Sequence, residues 1–330
     1  KNYCEVFEFL YYENKKISGL KYFDKIENKT CEINCSCIIN ATGANVDNMR
    51  ALDDKNAQEI LALSSGIHIV VSKDFLFSNE ALLIPNTSDG RIIFILPYLN
   101  HCLIGTTDKK CEYDENIKAK DEEIKYLLDE VNIYFTKPLK KEDILSSWSG
   151  IRPLIKSANK SNTQEIVREH LIISSKNGLI SIAGGKWTTY RKMAQDMMDF
   201  LVDKNYLEKR KSCKTKKYKL AGNEEKHKDL EKLISFYAIS KSTKESLITL
   251  YGNNATVVLN IASELNNFEL IHKDLPYLKA EIIYCVEYEF VKKPIDFLSR
   301  RIGLCFLNKE ASIDSVDAVC LEMGKLYNWD

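Results

Sequence analysis

Apolar positions in the first forty residues come in short runs broken by polar turns. Val6 to Tyr12, Ile17 to Phe23 and Cys31 to Asn40 read as strands, joined by turns at Glu13–Lys16 and Lys25–Thr30. Val46 to Leu52 then starts a short helix. From Ser65 to Asp108 the pattern predicts four strands, Ile67–Val71, Ala81–Ile84, Arg91–Leu96 and Leu103–Thr106, with turns at Ser88-Asp89-Gly90 and Asn100-His101. Between Lys120 and Tyr134 the period changes to that of a helix. Ile124, Leu127, Leu128 and Val131 fall on one face. Ile144 to Leu154 predicts a strand ending at an Arg152-Pro153 turn. Leu171–Ser174 and Leu179–Ala183 predict two more strands, followed by a helix carrying Met193, Met197 and Leu201.

The texture changes after Leu201. Lys204 to Lys228 is rich in charge and reads as a linker. Short helices are predicted at Leu230–Tyr237, Lys244–Tyr251, Ala255–Ser263, Lys279–Glu289, Pro294–Leu298 and Asp314–Tyr327, which together make an all-α C-terminal domain.

Leu179 to Arg191 is the most informative stretch, a buried strand, a two-glycine turn and a helix start. Gly184 and Gly185 allow a sharp turn and a close approach to a ligand. Thr188 or Thr189 can cap the helix. Unpaired N–H groups at a helix start favour an anion, and Lys186 adds a full positive charge there. Taken alone, the segment reads as an ordinary turn with a surface lysine. Three further segments change that reading. These are Ile38-Ile-Asn-Ala-Thr-Gly43, Gly150-Ile-Arg-Pro-Leu154 and Val167-Arg-Glu-His170. In this order they resemble the FAD-dependent glycerol-3-phosphate dehydrogenases, in the D-amino-acid-oxidase-like flavoprotein superfamily. Ser65–Val70, Arg91–Pro97 and Leu103–Asp108 extend the resemblance. Ala280–Val286 and Asp296–Arg301 look like that family's helical tail. The match runs from about Cys37 to Leu304 and is poor between Lys204 and Lys244.

The resemblance implies an α/β plus α fold. A partial FAD-binding Rossmann-like domain would occupy residues 1–50 and 156–203. A β-rich substrate domain would be inserted at 51–155, and the helical domain would follow at 204–330. The family's Gly-x-Gly-x-x-Gly turn occurs nowhere in this sequence. The expectation is therefore a C-terminal portion of a longer protein that, isolated, holds FAD weakly and is inactive.

For the residues, the resemblance implies that Ala41, Thr42 and Gly43 pass close to the dinucleotide part of FAD. Gly184, Gly185, Lys186 and Thr188 would address the flavin. Arg152 and Arg168 would bind the phosphate of glycerol 3-phosphate, with Lys186 serving both substrate and flavin. His68 would be the base for the C2 hydroxyl proton, or a polariser at that centre. Arg168 follows Val167 where the family has Ser. Each residue also has a plainer reading: a surface lysine, a structural ion pair for Arg152, a packed strand histidine for His68. The implied reaction is oxidation of glycerol 3-phosphate to dihydroxyacetone phosphate, with quinone taking the electrons. Peripheral membrane association follows from the acceptor, at the mitochondrial inner membrane for a eukaryotic protein, and a homodimer is compatible with it. The rivals are an oxidase that uses oxygen and a flavin-free scaffold.

Bulk properties agree with an ordinary globular chain of 330 residues, 45% apolar and 28% charged. Lys+Arg and Asp+Glu are 47 each, so no net charge points to nucleic acid. Of ten cysteines only Cys31, Cys35 and Cys37 cluster, at spacings unlike a zinc site, and neither a metal nor a disulfide is expected. No apolar run reaches the roughly 18 residues needed to span a bilayer.

Overall fold

The computed structural model describes residues 1–76, 78–156, 169–208, 211–223 and 230–329. These form two compact units. The first comprises residues 1–67, 106–123 and 149–216, and the second 68–105, 124–148 and 217–330.

The first unit opens with an antiparallel sheet, β1 (Cys4–Tyr11), β2 (Ile17–Asp24) and β3 (Lys29–Asn34), in the order β1-β2-β3. β4 (Ile38–Asn40) belongs to another sheet, so the strand expected over Cys31–Asn40 is two strands. The break lies at Cys35-Ser-Cys37. The amide of Cys35 still donates to Ser18, while Ile38 starts a new pairing with Leu179. α1 (Val46–Asp53) follows the turn after β4.

The second sheet of this unit has the order β11-β12-β4, with β11 (His170–Ser174) antiparallel and β4 parallel to the central β12 (Leu179–Gly184). Residues 179–183 of β12 are all buried. Leu179 packs with Phe9, Ile17 and Ile38. Ile180 and Ile182 pack with Met197 and Leu201 of α3 (Tyr190–Asp203). Ala183 packs with Val46 and Leu61. A near-continuous apolar run with both faces covered is what a strand at the centre of an α/β layer requires.

The largest sheet has the order β10-β5-β8-β7-β6, with β9 (Lys109–Lys110) also paired to β5. Its strands are β5 (Leu61–Ser72), β6 (Leu82–Ile84), β7 (Ile93–Tyr98), β8 (His101–Gly105) and β10 (Ile144–Ile155). β5 and β10 each contribute residues to both units. β10 does not end at Arg152-Pro153 as expected but runs through it to Ile155. Pro153 is tolerated because β10 is an edge strand among the described residues, where a missing N–H breaks no ladder. β7 and β8 are joined by a hairpin turn at Leu99-Asn100, both at positive φ. His101, placed in that turn by the sequence, instead opens β8.

α2 (Asp121–Asn132) buries Ile124, Leu127 and Val131. The helices of the second unit are α4 (Leu230–Ser235), α5 (Lys241–Tyr251), α6 (Ala255–Glu264), α7 (Lys279–Tyr288), α8 (Leu304–Leu307), α9 (Lys309–Asp314) and α10 (Val316–Tyr327). They surround one core that includes Leu247, Val258, Leu278, Ile282, Phe297, Val319 and Met323. Two expectations change here. The helix expected over Asp314–Tyr327 begins at Val316, because Asn308 caps a separate α9 through the Ala311 amide. The helix expected at Pro294–Leu298 is a π-helix, Asp296–Arg301, in which the Ile302 amide reaches back five residues to Phe297. Asp296 starts it by accepting the amides of Lys292 and Lys293.

Candidate functional site

The parallel register of β4 and β12 pairs Ser181 with Asn40, so both strands end at the same edge of the sheet. Each then enters a turn that the sequence singles out. β4 leads through Ala41 and Thr42 into a 3₁₀ turn, Gly43–Asn45, that packs against β12. β12 leads through Gly184, Gly185 and Lys186 into a 3₁₀ turn, Trp187–Thr189, and then α3. Carboxyl ends of neighbouring parallel strands are where open α/β sheets place their ligands.

Asn40 fixes this edge. Buried, it donates to the Val46 carbonyl (3.0 Å) and the Ser181 hydroxyl (3.2 Å), and it accepts from the Thr42 hydroxyl (2.7 Å). A buried amide with its groups matched by partners sets the turn geometry at little energetic cost. Ala41, Thr42 and Gly43 are themselves exposed. Gly43 has φ +62°, and a Cβ built there would meet no atom within 4 Å, so open space lies over its backbone.

Lys186, Trp187, Thr188 and Thr189 are exposed as well. Thr189, not Thr188, organises the turn. Its hydroxyl accepts from the Lys186 amide (3.2 Å) and donates to the Lys186 carbonyl (2.9 Å). It makes no cap bond to α3 itself. Gly184 (φ +74°) and Gly185 (φ +77°) do supply the sharp turn. Their bareness serves the protein's own packing: a Cβ at Gly184 would lie 2.7 Å from the Glu169 carbonyl oxygen and 2.8 Å from Cγ1 of Ile155, and one at Gly185 2.5 Å from Sδ of Met193. The exposed donors of this site are Lys186 and the turn beyond it.

Ile155 also carries the connection to Arg152. It ends β10 against Gly184, and Arg152 lies three residues earlier on that strand, roughly 10 Å along it. The guanidinium donates to the Thr106 hydroxyl (2.8 Å) and the Thr107 carbonyl (3.2 Å), and it faces Asp108 at 3.8 Å. The Ser64 hydroxyl donates to the Asp108 carboxylate. Thr107 is held in turn, donating to the buried Glu123 (2.6 Å) and accepting from the Ile67 amide (3.0 Å). The side chain of Arg152 is anchored at its guanidinium and stays 34% exposed. The anchor exists because Gly66 has no side chain: a Cβ there would collide with both terminal nitrogens of Arg152.

His68 belongs to the second unit and pairs with Gly105 across β5 and β8. Its imidazole stacks on Trp148 at 4.5 Å between ring centroids and 21° between planes. Arg168 lies outside the described residues. His170, two residues further on, pairs with Asp196 of α3 (3.1 Å). The Asp196 carboxyl is held below the usual carboxylate range chiefly by the Lys192 ammonium, opposed by burial and aided by His170.

Pattern reading missed Asn40, Ser181, Gly66, Thr106, Asp108, Gly105 and Trp148, which the structure sets against one another or against Arg152 and His68. Two of them had a signal. Gly66 and Gly105 are glycines inside apolar strand patterns, a mark of close approach.

Residues 1–191 match the FAD-dependent oxidoreductase family, and residues 213–330 match the C-terminal domain of alpha-glycerophosphate oxidase. The chain belongs to the FAD-dependent oxidoreductase family. It is 33% identical over 323 residues to the human mitochondrial glycerol-3-phosphate dehydrogenase, covering 96% of this chain and 44% of that protein. It is 32% identical over 344 residues to a probable mitochondrial glycerol-3-phosphate dehydrogenase of Dictyostelium discoideum, covering 99% of this chain and 54% of that one. The chain thus spans about half the length of the curated relatives it matches. The glycerol-3-phosphate dehydrogenase of Bacillus halodurans, solved with FAD, superposes over the whole chain with a TM-score of 0.84 at 31% identity, and 66% of that chain is covered. The α/β plus helical architecture expected from sequence is the architecture of this family.

Proposed function

We propose that this chain carries the substrate side and part of the flavin side of an FAD-dependent glycerol-3-phosphate dehydrogenase. One observation carries the reading. The turns after β4 and β12 lie side by side, one with open space over Gly43 and the other with Lys186 at a helix start. Ala41, Thr42 and Gly43 would hold the dinucleotide part of FAD. Gly184 and Gly185 shape the turn, and Lys186 and Thr188 would face the flavin, where an ammonium and a helix N-terminus favour negative charge. When bound, FAD supplies the acceptor for the hydride leaving C2 of glycerol 3-phosphate.

The remaining work falls to side chains of the protein. Arg152, held in place by Thr106, Thr107 and Asp108, would set its guanidinium charge against the substrate phosphate. Arg168 adds a second phosphate contact, and Lys186 neutralises charge at the reacting end. His68 accepts the C2 hydroxyl proton as a neutral imidazole. Quinone is the electron acceptor in this reading, and for a eukaryotic source the protein sits peripherally on the mitochondrial inner membrane. The names of the eukaryotic relatives support the mitochondrial part of that placement. Among the described residues no helix is long and apolar enough to cross a membrane. Oxygen is the rival acceptor, favoured by the match of residues 213–330 to the oxidase C-terminal domain.

Mixing the protein, in full-length and FAD-loaded form, with glycerol 3-phosphate under anaerobic conditions tests the reading. Bleaching of the flavin band is expected, followed by recovery on adding a soluble quinone. Recovery with stoichiometric peroxide on adding air, and none with quinone, would transfer the protein to the oxidases. A flavin band unmoved by millimolar substrate would overturn the proposal.

A further inference from the structure

We propose that Trp148 is a positioning residue for His68, and that α8 of the helical region sets its angle. This rests on the reading of His68 as the base.

The imidazole is confined on two sides. On one side is Gly105, its cross-strand partner. A Cβ there would collide with Cδ2 of His68 and lie 2.9 Å from both Cγ and Nε2, so the ring edge lies against bare backbone. On the other side the Trp148 indole stacks at 4.5 Å. A ring held between a strand and an indole loses its freedom about χ2, the torsion that aims its nitrogens. A base works only when its nitrogen lies within hydrogen-bond reach of the proton it takes, and a displacement of 1 Å costs on the order of 100-fold.

The indole is itself held. Phe306 of α8 meets it edge-on at 5.7 Å and 75°. Two residues before Trp148 on the same strand, the Ser146 hydroxyl donates to the Cys305 carbonyl of α8 at 3.0 Å. Arg300 in turn lies over the Phe306 ring at 5.9 Å. The buried indole N–H has no hydrogen-bond partner among the described residues, so ring contacts fix the side chain. Aromatic pairs of these geometries are individually modest but directional, which suits orientation better than stabilisation. The chain of contacts, Phe306 to Trp148 to His68, gives the helical region a part in the chemistry.

The test compares Trp148→Leu, Trp148→Phe and His68→Gln in the FAD-loaded protein. Histidine ring resonances are followed by ¹³C-edited NMR, with the His68 signal assigned by its loss in His68→Gln. Trp148→Leu is expected to lower kcat about tenfold with KM for glycerol 3-phosphate changed less than twofold. The His68 ring protons should move downfield as the indole ring current is lost. Trp148→Phe keeps a stacking ring and is expected to recover at least a third of kcat. If His68→Gln lowers kcat but Trp148→Leu does not, the positioning role is overturned while the base survives. An unmoved His68 signal in Trp148→Leu also overturns it. If His68→Gln leaves kcat intact, the base reading fails and the inference falls with it, whatever the NMR shows. Should Trp148→Leu lose its flavin or its melting transition, Phe306→Leu replaces it, with the indole present but unbraced and about a threefold fall in kcat expected. No fall in kcat there overturns the role of α8.

Discussion

Arg152 lays its guanidinium across the main chain of Gly66, in the space that a side chain at that position would fill. The contact joins residues 86 positions apart and decides where a fixed positive charge can be presented. Gly66→Ala is therefore expected to act on ligand binding through Arg152. Its Cβ would also collide with the Thr107 carbonyl, adding about 1–3 kcal/mol of strain. A double-mutant cycle checks the relationship. Arg152→Ala should cost much less kcat/KM in the Gly66→Ala background than alone, whereas full additivity would show the two residues to be independent.

Arg152→Ala by itself should lower kcat/KM for glycerol 3-phosphate by about 2–3 kcal/mol, roughly 30- to 150-fold, the worth of a charge-assisted phosphate contact. Arg152→Lys should recover little, because an ammonium lacks the planar, delocalised fork that can bond Thr106 and Thr107 at one nitrogen and spread its charge toward a phosphate. Steady-state kinetics at matched flavin content measure both. A change below threefold for Arg152→Ala would leave this residue as a structural partner of Asp108.

How far the sequence reaches can be seen at β12. Its run Leu179-Ile-Ser-Ile-Ala, bounded by glycines, reads as a buried strand because both faces are covered by apolar neighbours. α2 was equally plain, since its periodicity comes from one buried face. The break at Cys35-Ser-Cys37 was hidden because small, half-apolar residues continue a strand pattern there, and the change of partner sheet is non-local. Pro153 misled for the opposite reason. It is a strong local stop signal that an edge position overrides. At the site, residue types were legible but their company was not. Arg152 finds Thr106 and Asp108 more than forty positions back, and His68 finds Trp148 eighty positions on.

Glu281 gives the helical region a pH dependence. Fully buried at the start of α7, it accepts from the Leu278 amide (2.6 Å) and the Tyr251 hydroxyl (2.9 Å). Burial pushes its carboxyl up to about 8 from the ordinary 4.5, outweighing both bonds. A group with a higher folded than unfolded pKa binds more protons when folded, so its contribution to stability falls as pH rises. The loss should start near pH 4.5 and be complete above pH 8. Glu281→Gln, always neutral, should show a smaller fall in melting temperature than the parent between pH 5 and 9. Parallel melting curves for parent and variant would contradict the assignment.

Thiol reactivity should sort the ten free cysteines by their surroundings. Cys213 is exposed, and its thiol is lowered by bonds with the Thr215 hydroxyl and amide, with Arg191 nearby. Burial pushes Cys102 up to about 12 and drives Cys285 higher still. At pH 7.5 a disulfide reagent should modify Cys213 well before either, since the thiolate is the attacking form. Peptide mass spectrometry of a time course would show the order, and early labelling of Cys102 or Cys285 would contradict it.

Pro153 has a consequence beyond its tolerance in β10. A strand with open amides and carbonyls along its rim is a template on which another chain can add, the first step of sheet-to-sheet aggregation. At Pro153 that template lacks one amide donor. The strand that carries Arg152 is therefore a poorer template for edge addition than its length alone would make it.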